Sequence, residues 1–187
     1  MTTNIAVLAS GRGSNLQGVI DACKRGLING KVCVVISNNK DAQALERAQK
    51  ENIPTEVIHH INNSKLLDTL QSYDAELVVL AGYLQKVGPR VIEAYPDKII
   101  NVHPSLLPKY GGKGMYGLAV HEAVIAAGDD ETGVTIHFVT PEYDEGEIIE
   151  QLRIRVHENA TPQELADRLI NYEAMLLVHT IRRIIGG

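Results

Sequence analysis

The stretch Ile5-Ala6-Val7-Leu8-Ala9-Ser10-Gly11-Arg12-Gly13-Ser14-Asn15-Leu16 decides the fold. An unbroken apolar run opens it and a glycine-bearing turn follows. An amphipathic stretch comes next, with Leu16, Val19, Ile20 and Cys23 on one stripe. Strand, tight turn and helix in that order begin a βαβ unit. The alternation continues: strands are expected at residues 5–10, 32–37, 55–58, 77–81 and 99–102, and a second helical stripe of Leu66, Leu67, Leu70 and Tyr73 lies between the third and fourth. The run Leu77-Val78-Val79-Leu80-Ala81 has no polar alternation, as a central strand covered on both faces requires.

After residue 130 the rhythm changes. Residues 133–139 and 148–155 are strand-like runs joined by an acidic, glycine-bearing loop, which predicts an antiparallel pair at the sheet edge. Thr161-Pro162-Gln163-Glu164 combines a capping threonine, proline at the first helical position and a glutamate three residues on, opening a last helix to about Ile185. The expected fold is α/β: a single doubly wound, mostly parallel, Rossmann-like sheet with an antiparallel strand pair near the C-terminus and a long terminal helix. Residues 1–187 are expected to form one domain, since 187 residues suit one core. Ligands of such a sheet bind at the carboxyl ends of its strands.

Composition narrows the function. Hydrophobic residues at 44% and charged residues at 22% are ordinary for a globular chain. With 18 Lys+Arg against 23 Asp+Glu, the net charge of −5 lacks the basic excess that draws a protein to nucleic acid, and one Phe with no Trp leaves no stacking surface. Apolar runs are strand-sized, shorter than the ~20 residues that span a bilayer. The N-terminal residues carry no basic signal region, and two cysteines are too few for a stapled secreted fold. Small-molecule substrates, no nucleic acid, no membrane and a cytoplasmic location are therefore expected. An anionic partner would have to be bound locally.

The turn Ser10-Gly11-Arg12-Gly13-Ser14-Asn15 is suited to that task, because free amides and the helix dipole converge where a strand gives way to a helix. Gly11 and Gly13 allow positive φ, while Ser14 and Asn15 can cap the helix or donate to phosphate oxygens. Leu16 stands where a dinucleotide fingerprint needs its third glycine, and no Gly-Lys-Ser/Thr follows, so neither an NAD nor an ATP motif is present. A plain tight turn remains the alternative.

Asn101-Val102-His103-Pro104-Ser105-Leu106-Leu107-Pro108 comes at the end of the fifth strand. Alternation puts Asn101 and His103 on one face, ~7 Å apart along the backbone. A carboxamide beside an imidazole can bind an oxyanion and manage a proton in acyl-type transfer; alternatively, both side chains satisfy loop carbonyls. Asp144, in the loop before the last strand, would hold the His103 tautomer and favour its imidazolium if the two met. Cys23 and Cys33 read as core, and Ser105 lacks a nucleophile elbow. His121 and His137 stay outside the catalytic set, and His59 and His60 read as surface histidines without zinc-type spacing.

Together with Leu80-Ala81-Gly82-Tyr83-Leu84, residues 132–139 and Asp144-Glu145-Gly146, these segments closely resemble the phosphoribosylglycinamide formyltransferases, a folate-dependent family of purine synthesis. The resemblance runs nearly end to end. It implies 10-formyltetrahydrofolate as co-substrate, no metal, and Asn101, His103 and Asp144 as the catalytic set. It further implies that Gly11, Arg12, Gly13, Ser14, Asn15 and Glu173 hold the phosphoribosylglycinamide. Leu84, Gln85, Lys86, Val87, Thr140, Tyr143 and Asp144, with Asn101, would frame the folate. Gln85 departs from the many relatives that carry Arg there, and the segment 111–117 is expected to act as a flap. Asn101 and His103 would stabilise the oxyanion and Asp144 would aid a water-mediated proton transfer. A homodimer is left open. So are another acceptor (methionyl-tRNA, an amino-sugar nucleotide or water) and a non-catalytic phosphosugar-binding module. The tRNA and hydrolytic versions are expected to carry additional domains that are not read in this chain.

Overall fold

A computed structural model describes residues 2–59 and 63–186. His60 thus lies outside the described residues, and His59 is exposed. The elements run β1 (Thr3–Leu8), α1 (Ser14–Lys24), β2 (Gly30–Ser37), α2 (Gln43–Lys50), β3 (Thr55–Val57), α3 (Asn63–Ser72), β4 (Leu77–Leu80), α4 (Pro89–Ala94), β5 (Ile99–His103), α5 (Leu118–Ala127), β6 (Glu131–Phe138), β7 (Ile148–Arg155) and α6 (Pro162–Ile184). They build one seven-stranded sheet in the order β3-β2-β1-β4-β5-β6-β7. The first five strands are parallel, whereas β6 runs antiparallel to both β5 and β7, as expected of the late pair.

Helices cover both faces. On one, Leu16, Val19 and Ile20 of α1 pack with Leu165, Leu169 and Leu177 of α6 onto Ile5, Val7 and Val79. On the other, Leu66 and Leu70 of α3 and Val91 of α4 close over Ala6, Leu8, Val34 and Val78. Full burial of each such aliphatic side chain contributes roughly 1.5–3 kcal/mol, so the two stripes determine the layering. Gly18 lets α1 approach α6 closely: a Cβ there would lie 3.0 Å from that of Ala174. The capping box forms as read, Thr161 and Glu164 exchanging bonds with Pro162 at the helix start. Among the described residues no helix is long and apolar enough to cross a membrane.

Strand ends differ from the periodicity. β1 starts at Thr3, because Thr3 and Asn4 pair with Gly30 and Lys31 of β2, and stops at Leu8. Ala9 and Ser10 already belong to the turn.

Candidate active site

Order reverses at β1, which pairs with β2 on one side and β4 on the other. Connections leaving such neighbours diverge and open a crevice at the strand ends. Here it is a cleft of about 470 Å³. Gly11, Arg12, Gly13, Ser14 and Asn15 line one end, with Glu173 from α6. Asn101, His103 and Asp144 line the floor, and Leu84, Gln85, Lys86, Val87, Thr140 and Tyr143 the far end. The residues expected to bind the phosphoribosylglycinamide, to frame the folate and to form the catalytic set thus all line one cleft.

At the first end, Gly13 is left-handed, with φ 73°. A Cβ on it would stand 2.8 Å from Ala44 Cα, so glycine is required by conformation and by space. α2 grips the outer side of the turn: Ala44 N donates to Gly11 O at 3.0 Å and Arg47 Nε to Arg12 O at 2.7 Å. The first amides of α1 have no intrahelical acceptor and remain available to an anion. The expected side-chain cap is absent, since the N-cap residue is Gly13 and makes no side-chain bond. Asn15 instead turns to α6, its Nδ2 donating to Glu173 Oε2 at 2.7 Å. Burial raises the Glu173 carboxyl above its ordinary range, with Asn15 and Arg12 acting against it. The buried Asn15 Oδ1 finds no partner among the described residues.

At the floor, register brings the polar groups together. Asn101 pairs with His137 and His103 with Thr135 across the β5–β6 ladder. His137 Nδ1 lies 2.8 Å from Phe138 O, and its Nε2 lies 3.0 Å from Asn101 Nδ2. Among the described residues Asn101 Nδ2 makes no second hydrogen bond, leaving one amide hydrogen for a ligand. His103 Nε2 donates to Tyr110 O at 2.8 Å, because a carbonyl can only accept. This leaves Nδ1 of His103 facing Asp144, 3.7 Å from Oδ2. Asp144 Oδ1 lies 3.5 Å from His137 Nε2, and Gly112 N donates to Oδ2 at 2.8 Å.

Asp144 favours the His103 imidazolium as expected, but burial is the larger influence and acts against it. Burial lowers the His103 pKa by more than Asp144 and the Tyr110 carbonyl raise it, and His137 adds to the lowering. Asp144 is pushed up by burial but further down by His137, His103 and the Gly112 amide, so it stays a carboxylate. The pair is thus a neutral imidazole beside a carboxylate, ready to receive a proton at Nδ1.

Two histidines left out of the catalytic set belong to the cleft. His137 bridges Asn101 and Asp144. His121, 3% exposed on α5, also lines the cleft; burial takes its pKa down to about 4, with a small push from His103. Alternation along residues 133–139 would have put His137 on a defined face, but its pairing with Asn101 depends on a register that the sequence does not state. Both cysteines sit away from the cleft, and burial pushes their thiols up to about 11.

At the far end the loops after β4 and β6 face one another, with Lys86 Nζ 5.1 Å above the Tyr143 ring and 3.9 Å from Glu142. Leu84 and Tyr143 expose apolar surface at the lip. Such a lip suits a flat, partly apolar ligand, while the glycine turn suits an anion.

A family model described as formyl transferase matches residues 3–181. The chain is 40% identical to a chloroplastic phosphoribosylglycinamide formyltransferase of Arabidopsis thaliana, over 96% of its own length and 64% of that protein's. It thus spans less than two thirds of that plant relative. It is 43% identical to the phosphoribosylglycinamide formyltransferase of Haemophilus influenzae, over 98% of its length and 87% of the relative's. The crystal structure of glycinamide ribonucleotide transformylase 1 from Symbiobacterium toebii superimposes with a TM-score of 0.93 at 36% identity, covering 100% of this chain and 89% of that one.

Proposed function

The chain belongs to the formyl transferase family, and on that premise we propose that it transfers the formyl group of 10-formyltetrahydrofolate to the amine of 5′-phosphoribosylglycinamide in purine synthesis. The observation that carries this reading is the convergence of Asn101, His103 and Asp144 between a glycine turn fit for a phosphate and a lip fit for a pterin. Cytoplasmic operation is part of the proposal.

Gly13, Ser14 and Asn15 hold the 5′-phosphate through first-turn amides, and Glu173 reaches the ribosyl-glycinamide. Backbone groups of residues 84–87, with Thr140 and Tyr143, frame the folate. The glycinamide nitrogen attacks the formyl carbon, a C–N bond forms, and negative charge gathers on the formyl oxygen. The free N–H of Asn101 donates to that oxygen, a contact of the kind worth ~10²–10³ in rate. His103 Nδ1 accepts a proton as the tetrahedral species forms, and Asp144 stabilises the imidazolium at 3.7 Å. That proton comes from the attacking amine, and a water held by Asp144 carries it on from His103 Nδ1 to folate N10 as the bond from N10 to the formyl carbon breaks, so the ring ends neutral. His137 keeps Asn101 and Asp144 in register throughout.

Mixing the protein with glycinamide ribonucleotide and 10-formyl-5,8-dideazafolate, and following absorbance of the deformylated product, tests the reading. Turnover that requires both substrates supports it. Product release without the ribonucleotide would point to a hydrolase, and ribonucleotide binding without turnover to a phosphosugar-binding module.

A further inference from the structure

We infer that the Ser10 hydroxyl is a positioning residue for the folate half of the site, an inference that rests on the folate reading of residues 84–87. Ser10 is 6% exposed and ties together the carboxyl ends of three strands. Its amide donates to Gly82 O at 3.0 Å, its hydroxyl donates to Asn38 Oδ1, and Leu84 N donates to its Oγ at 2.9 Å. Asn38 follows β2, Gly82 and Leu84 follow β4, and Ser10 follows β1.

The polarity of these bonds gives the hydroxyl its role. Asn38 Oδ1 can only accept, so the hydroxyl proton is committed to it and a lone pair is aimed at the Leu84 amide. The proton and one of the two lone pairs of Oγ are thereby committed inside the protein. The segment it holds has no helix or strand ladder of its own. Its two ends are pinned: Leu84 N by Ser10 Oγ, and Gly88 N by Asn63 Oδ1 at 3.0 Å. Only Gln85, Lys86 and Val87 lie between, and Val87 is buried. Removal of the hydroxyl frees the upstream pin and leaves the Ser10–Gly82 backbone bond in place. The glycine turn, held separately by Ala44 and Arg47, keeps its shape.

Isothermal titration with 10-formyl-5,8-dideazafolate and steady-state kinetics on Ser10→Ala, Asn38→Ala and Asn38→Asp test this. A buried hydrogen bond of this kind is worth roughly a 5- to 20-fold change, so Ser10→Ala should weaken analogue binding by about that factor. The KM for glycinamide ribonucleotide and the kcat at saturation should stay within about threefold, since this serine orders a loop and touches no reacting atom. Asn38→Ala should move analogue affinity in the same direction, and Asn38→Asp, which keeps an acceptor oxygen, should restore it. Unchanged analogue affinity in Ser10→Ala, or an equal loss for both substrates, overturns the inference. If Ser10→Ala does not fold, the Asn38 pair decides: equal affinities in Asn38→Ala and Asn38→Asp overturn it. A wild-type protein that binds the ribonucleotide but not the analogue overturns the folate reading itself, a result distinct from any of these.

Discussion

Nδ1 of His103 lies 3.7 Å from Oδ2 of Asp144, while Nε2 of the same ring is fixed to the Tyr110 carbonyl at 2.8 Å. A neutral imidazole bonded in this way turns a lone pair toward a carboxylate, an arrangement that improves only when Nδ1 gains a proton. Burial opposes the charged ring by more than Asp144 favours it, so the ring rests neutral while Asp144 stands ready to stabilise it once protonated. This is the condition under which a base takes a proton during the reaction and releases it afterwards.

Replacing Asp144 by Asn removes the charge that stabilises protonated Nδ1 while keeping an acceptor for the Gly112 amide. Turnover should fall on the order of 10²-fold, with the KM of both substrates changed little. Steady-state rates with glycinamide ribonucleotide and the formyl-dideazafolate check this, and near-normal kcat would take Asp144 out of the proton path.

Gly13→Ala places a methyl 2.8 Å from Ala44 Cα on a residue held at φ 73°. Neither helix can yield without moving backbone, so a stability loss of about 1–3 kcal/mol is expected, read from urea unfolding. The KM for glycinamide ribonucleotide should rise more than that for the folate analogue. Equal effects on both would mean that the turn does not serve the phosphate.

The pH dependence of stability carries a signature of His121. Its pKa falls from 6.5 unfolded to about 4 in the fold, so between these values the unfolded chain binds a proton that the native state does not. Stability is therefore lost as pH drops from about 6.5 toward 4. Urea unfolding at pH 7.5 and 5.0 should show His121→Leu sparing about 1–2 kcal/mol of that loss. Glu173, raised by burial, works in the opposite sense but is common to both proteins, and Asp144, held low, loses its contribution only at more acid pH. An identical slope in both proteins would contradict the buried neutral histidine.

Periodicity revealed the layers because burial is periodic: Leu16, Val19 and Ile20 must face a sheet, and residues 77–81 must be covered on both sides. It was silent about α2 and α4, where small residues such as Ala44 and Ala48 do the packing or the helix is only six residues long. At the site, strand alternation put Asn101 and His103 on one face without help. His137 was beyond reach because its partnership with Asn101 is created by the antiparallel β5–β6 register, a contact across 36 residues that no local pattern encodes. Glu173 entered only through resemblance; its meeting with Asn15 requires knowing that α6 packs on α1.

The Tyr110 carbonyl that orients His103 belongs to a residue in the left-handed region, φ 56°, which costs a tyrosine roughly 1–2 kcal/mol. Its hydroxyl offsets part of that cost by donating to Asp129 Oδ2 at 2.9 Å, on a carboxylate also held by Lys109 Nζ at 3.0 Å. Tyr110→Phe keeps the carbonyl but frees the ring, and Asp129→Ala frees it from the other side. Each should lower kcat about 3- to 10-fold with the KM values nearly unchanged, since the loss falls on the orientation of a proton-handling ring and not on binding. Because both changes break one bond, the double variant should be no slower than the worse single one. Multiplicative losses in that cycle would show that Asp129 and Tyr110 act separately, and the line from Asp129 through Tyr110 to His103 would have to be abandoned.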